Sequence, residues 1–395
     1  MNSSIFLRLR REPIVVVAPI LVAVGLLHFG SVSSEEEIRS TQRWAQGFSI
    51  IFLVGPVASG CAAYIVGCLK DADIFARRWV RERFIVLHAL GITATMSFIL
   101  IIGFGFYQAG FALPNSRLLL VAVMALFQML AWGVISAFLL PSLLAVPLAL
   151  VGGYMWMVFP QVVEPLWLRH LNGYWPTCCA IDQNPSLSGL LGVSTVAVSA
   201  WLGAYWLIHR ENKLRAGISG VVSLVLFFCA LFVVSHLEAD PVEERVSDLS
   251  CQALSDEGVL CLFAEHEKYR THAEELFATV SQKWSGIIPI GQVRYSESSY
   301  DMDALHVNFS PKRPEQEIGM LAQAHLPPFP QCSDRPYENA EARDVAFEGL
   351  MSLAGISYTN PDSRVKLLRD LDQAGVQGWF IEIFDRAKRC ETTYE

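Results

Sequence analysis

Seven apolar runs, each close to a bilayer's span, crowd the chain up to His236 and then stop. A helix of roughly 20 apolar residues crosses the hydrocarbon core, and only a helix or a closed barrel satisfies its own backbone there. The runs cover residues 13–29, 46–69, 84–110, 118–140, 142–159, 188–208 and 216–235. The fourth and fifth form one stretch too long for a single crossing. Pro141 and Pro147 interrupt it, because proline lacks the helical donor and restricts the residue before it, so two helices joined by a tight turn are expected. The expected fold class is an α-helical polytopic membrane protein of about seven transmembrane helices (residues 1–236), followed by a small α+β soluble domain (residues 237–395).

Charge divides at the same point. Only 17% of the chain is charged, against about 25% for an ordinary soluble protein. The part after His236 holds 28 acidic and 15 basic residues and so carries −13, against −8 for the whole chain. That balance argues against nucleic acid as a partner. Seven crossings that start inside place Arg8, Arg10, Arg11, Lys70, Arg77, Arg78, Arg81, Arg83, Arg210, Lys213 and Arg215 in the cytoplasm. Arg39, Arg43, Arg117 and Arg169 fall in outer loops. By the positive-inside rule the N-terminus is inside and the acidic domain is outside, in a multi-pass protein of the cell membrane. The first run has some likeness to a signal peptide, but it is long for one, and cleavage there would leave the domain outside as well.

Polar content within the runs is low. His28 and His88 are the ionisable side chains there, both near span ends, which argues against a proton-coupled pump or a channel with a charged filter. Ser199 with Gly203 and Ala200 with Ala204 have the spacing of close helix packing. Two loops stand out. Residues 71–84 alternate apolar with basic side chains, the pattern of a short amphipathic helix on the inner surface: a lipid contact or a docking element for a cytoplasmic partner. Residues 160–187 hold Trp167, Tyr174, Trp175, Cys178 and Cys179, read as a cap over the outer mouth.

Cysteines outside suit an oxidising compartment, and the expected disulfides are Cys251 with Cys261 and Cys332 with Cys390. Zinc is the weaker reading, since no pair has C-x-x-C spacing. In the outer domain, strands are expected at 259–263, 287–295 and 304–309. Helices are expected at 268–284, 314–325 and 341–353, with a final stretch divided by Gly375 into 363–373 and 376–389. His266, Glu267 and His272 invite comparison with a zinc-hydrolase helix. The histidines are six apart, whereas the metal site needs four. No nucleophile elbow, Walker loop or dinucleotide loop is present, so no catalytic residue, metal or cofactor is assigned and the chain is not read as an enzyme.

The stretch FLVGPVASGCAAYIVGCLKDADIFARRWVRERF resembles the second span and following cytoplasmic helix of actinobacterial ABC-2-type permease-like proteins. HLNGYWPTCC and VLCLFAEHEKYRTHAEELF are similar to pieces of members with an extracytoplasmic C-terminal domain. The resemblance implies a separate ATP-binding subunit, docked on Asp73, Arg77, Arg78 and Arg81, and a homo- or heterodimer of permease subunits. A seventh span departs from the usual six. The leading expectation is a permease subunit moving a hydrophobic or amphipathic substrate, peptide or lipid-like. The alternative is a membrane-anchored extracytoplasmic binding or sensing protein without transport activity.

Overall fold

The computed structural model describes residues 12–30, 40–71, 80–110, 112–176, 178–209, 213–237, 240–245, 249–254, 258–284, 286–287, 294–307, 314–326, 336–356 and 362–388. The chain forms two compact units, Met1–Arg245 and Val246–Glu395.

In the first unit, seven helical segments among the described residues are long and apolar enough to cross a membrane. They are α1 (Pro13–Gly30), α2 with α3 (Ser40–Phe48, Ile51–Asp71), α4 (Val80–Ala109), α5 (Ser116–Leu139), α6 (Ser142–Val162), α7 (Leu187–Ile208) and α8 (Lys213–Val234). The expected break at Pro141 separates α5 from α6. The second span begins earlier than its apolar run, because α2 is amphipathic and buries Trp44, Ala45 and Phe48 behind a polar face. It breaks at Ser49, whose Oγ donates to the Gln46 carbonyl at 2.6 Å.

Small residues let α3 run through the interior. A side chain on Gly133 of α5 would bring its Cβ within 2.1 Å of the Ser59 carbonyl oxygen, so the α3–α5 approach requires glycine there. Ser199 and Ser223 donate to each other's backbone carbonyls at 2.8 Å and join α7 to α8. Gly203 lies against the same Ser223 hydroxyl, which gives the small-residue spacing its packing role. Val221, Leu224, Phe228 and Phe232 of α8 remain exposed, as side chains facing lipid would.

The second unit is built on a four-stranded sheet of β3 (Leu249–Ala253), β4 (Val259–Phe263), β5 (Arg294–Ser296) and β6 (Leu305–His306), in that spatial order. β3 and β4 are an antiparallel hairpin, and β5 and β6 add in parallel. Helices α9 (Arg270–Trp284), α10 (Pro314–His325), α11 (Pro336–Leu353), α12 (Ser363–Leu367) and α13 (Gln373–Lys388) complete it. Leu260, Leu262, Phe277, Trp284, Tyr295 and Phe380 belong to one buried core. Of the expected strand at 287–295, Arg294 and Tyr295 belong to β5, and residues 288–293 lie outside the described residues. The last helical stretch divides not at Gly375 but at Leu371 and Asp372. Asp372 accepts from the Gly375 N–H at 2.9 Å and starts α13 before that glycine.

Candidate functional site

One end of the bundle is closed by the loop between α6 and α7. Pro160 cannot donate to the Trp156 carbonyl four residues earlier, so that acceptor needs another partner inside an apolar bundle. Fully buried Asn172 supplies it, donating to the carbonyls of Trp156 and Met157 at 3.1 and 3.0 Å. Its Oδ1 accepts from the Tyr174 N–H at 2.9 Å. Gly173 follows with φ +72, and a Cβ there would meet Ala125 at 2.8 Å, so the loop presses onto α5 only through a glycine. Gln128 of α5 donates to the Leu171 carbonyl at 3.3 Å. Trp175 is buried beside the loop and lines a small cleft with Phe48, Ser49, Leu118 and Val121. Buried Cys178 and Cys179 lie at disulfide distance from each other. The cap reading of this loop matches its burial.

The chain leaves α8 through this same cap. Strand β2 (Val242–Glu244) pairs antiparallel with β1 (Gln183–Pro185) of the loop, with Asn184 opposite Glu243. Ser186 N–H donates to the Pro241 carbonyl, and Arg245 N–H to the Asp182 carbonyl, at 3.0 and 2.9 Å. Glu243 is the centre of this arrangement. Its Oε1 pairs with the guanidinium of Arg117, in the first turn of α5. Its Oε2 accepts from the Leu187 N–H at 3.1 Å. Leu187 opens α7 after the N-cap Ser186, so Glu243 places a negative charge at a helix N-terminus, where the helix dipole favours it. Arg117 also donates to the Pro185 carbonyl at 3.1 Å. One carboxylate thus ties the exit strand to the starts of two helices. The unit boundary after Arg245 follows from this packing.

At the other end, Lys70 closes the turn between α5 and α6. Pro141 frees the Ala137 carbonyl as Pro160 frees that of Trp156, and the Lys70 ammonium donates to Ala137 and Leu140 at 2.9 and 3.2 Å. A cation at a helix C-terminus also suits the dipole. Ser142 Oγ donates to Asp71 at 2.5 Å. Of the residues expected to dock an ATPase, Asp73, Arg77 and Arg78 lie outside the described residues, and Arg81 falls in the first turn of α4.

In the second unit, Cys251 and Cys261 face each other across the β3–β4 hairpin at disulfide distance. Cys332 and Cys390 lie outside the described residues. The suspected zinc histidines go to separate partners. His266 Nδ1 bonds the fully buried carboxylate of Glu297 at 2.6 Å, which also accepts from the Phe263 N–H at 2.8 Å. His272 Nε2 bonds buried Glu317 at 2.8 Å. Glu267 pairs with Arg270, which holds its carboxyl below the usual carboxylate range. No group of three metal-ligating side chains forms among the described residues. These pairs join α9 and the turn before it to β5 and α10.

The chain matches no protein-family model, and no curated protein or solved structure is significantly similar to it.

Proposed function

We propose that this chain is a membrane-anchored binding or sensing protein whose C-terminal unit lies outside the cytoplasm. One observation carries the reading: a compact unit with a buried core of its own follows seven helices long and apolar enough to cross a membrane. The arginine and lysine pattern supports facing the capped end outward.

Removal of residues 246–395 from the chain in its native membrane tests it. Loss of the response to ligand with the helical bundle still inserted and folded is expected, and a response that survives the removal would refute the reading.

A permease subunit working with a cytoplasmic ATP-binding subunit, as a homo- or heterodimer, is the second reading. Lys70 and Asp71, directly before the expected docking segment, hold the α5–α6 turn and offer a route from a docked ATPase into the bundle. Gentle solubilisation from native membranes separates the two. An ATPase that co-purifies in fixed ratio and hydrolyses ATP favours transport, and its absence from active membranes removes it.

A further inference from the structure

We propose that Cys251 and Cys261 form a reversible thiol–disulfide exchange site, entered by a low-molecular-weight thiol at Cys251. Every group involved belongs to the second unit, so the site works the same way on either side of the membrane.

The two sulfurs differ in access and in charge. Cys251 is exposed on β3, the outer strand of the described sheet, which pairs there only with β4. Cys261, directly opposite on β4, is fully buried. An attacking thiolate must reach the sulfur it bonds, so Cys251 takes the attack and Cys261 leaves. The Arg294 guanidinium of β5 lies 3.9 Å from the Cys251 sulfur, and a cation there stabilises a thiolate released beside it. Asp301 pairs with the same guanidinium at 3.0 Å and keeps it in place.

The exchange runs in two steps. The external thiolate bonds to the Cys251 sulfur as the bond between Cys251 and Cys261 breaks; Cys261 leaves with the electron pair and takes up a proton. A second external thiolate then attacks the external sulfur of the mixed disulfide, which releases Cys251 as a thiolate and yields the oxidised thiol dimer. Two electrons thus pass to the chain, and an excess of the oxidised dimer drives the steps backward. Reclosing needs both strands to keep their register while the bond is open. Buried Arg270 holds them: its guanidinium donates to the Ser250 carbonyl of β3 at 2.9 Å and to the Leu260 carbonyl of β4 at 3.2 Å, the residues directly before the two cysteines. Glu267 fixes that guanidinium with bonds of 2.7 and 2.8 Å. None of these contacts involves sulfur, so the clamp survives reduction.

Full-length chain in nanodiscs, treated with the neutral thiol 2-mercaptoethanol, quenched by alkylation and mapped by fragmentation mass spectrometry that separates the two cysteines, tests the site. The mixed disulfide is expected on Cys251 in about tenfold or greater excess over Cys261. Oxidised 2-mercaptoethanol should then restore the bond, with the far-UV circular dichroism unchanged throughout. In Cys261→Ser the mixed disulfide on Cys251 has no partner for reclosing. Adding Arg294→Gln to that chain is expected to slow thiol-driven release of Cys251 about two- to fivefold at low salt and less at high salt, a salt dependence that a merely structural role does not give. A bond that opens only after denaturant unfolds the second unit, adducts shared equally by the two cysteines, or an opened pair that fails to reclose in a folded unit overturns the exchange site. A release rate unchanged by Arg294→Gln overturns the part assigned to Arg294.

Discussion

His325 lies in the core of the second unit beside Trp284, with its Nε2 at 2.9 Å from the Tyr295 hydroxyl. Burial pushes the Tyr295 pKa up, so the hydroxyl keeps its proton and shares one hydrogen bond with the imidazole. The same burial lowers the His325 pKa from 6.5 to about 4. Between those values the unfolded chain binds a proton that the folded unit refuses, so stability falls as the pH falls. The contribution is intact above about 6.5 and fully lost below about 4, and it amounts to about 3 kcal/mol. Urea-dependent pulse proteolysis of the second unit, on full-length chain in nanodiscs from about pH 7 to about pH 4.5, measures it. Asp362, whose carboxyl Arg364 holds below the usual range, loses its contribution only as the pH falls below the ordinary aspartate value, outside this interval, and a difference between variants cancels any background that remains. His325→Gln is predicted to start less stable and to lose about 2 kcal/mol less than wild type over that interval. Parallel losses in the two proteins would refute the assignment of this pH dependence to His325.

Gly133→Ala should destabilise the bundle by about 1–3 kcal/mol, since the added Cβ meets the Ser59 carbonyl at 2.1 Å; a thermal midpoint unchanged in detergent counts against the α3–α5 approach. Asn172→Leu keeps the side chain's volume but strips partners from two carbonyls, at a cost of about 1–3 kcal/mol, and exchange should rise first in segment 163–176. Lys70→Met removes the ammonium from the end of α5 and should raise exchange at 138–144 while leaving the capped end unchanged.

The spans were legible because bilayer thickness dictates both length and hydropathy, and Pro141 marks a break that backbone chemistry enforces. α2 escaped because Gln42, Arg43 and Gln46 lower the local hydropathy, although Trp44 and Phe48 lie on the face that becomes buried. The β1–β2 pairing left no periodic signal: three residues per strand, nearly sixty apart in sequence, one of them proline. Glu243 was counted among ordinary acidic residues after the last span, and Arg117 among outer arginines. Only their juxtaposition gives them a role. The glutamate partners of His266 and His272 come from distant segments that sequence periodicity does not connect.

Which side of the membrane the second unit faces is tested most directly at Met302, which is 92% exposed. Met302→Cys, in a chain with Cys68, Cys229, Cys332 and Cys390 changed to serine, is treated in intact cells with a membrane-impermeant maleimide. A second unit outside the cytoplasm is labelled before permeabilisation to the same extent as after it. Labelling that appears only once the membrane is opened would place the second unit inside and contradict the proposed function.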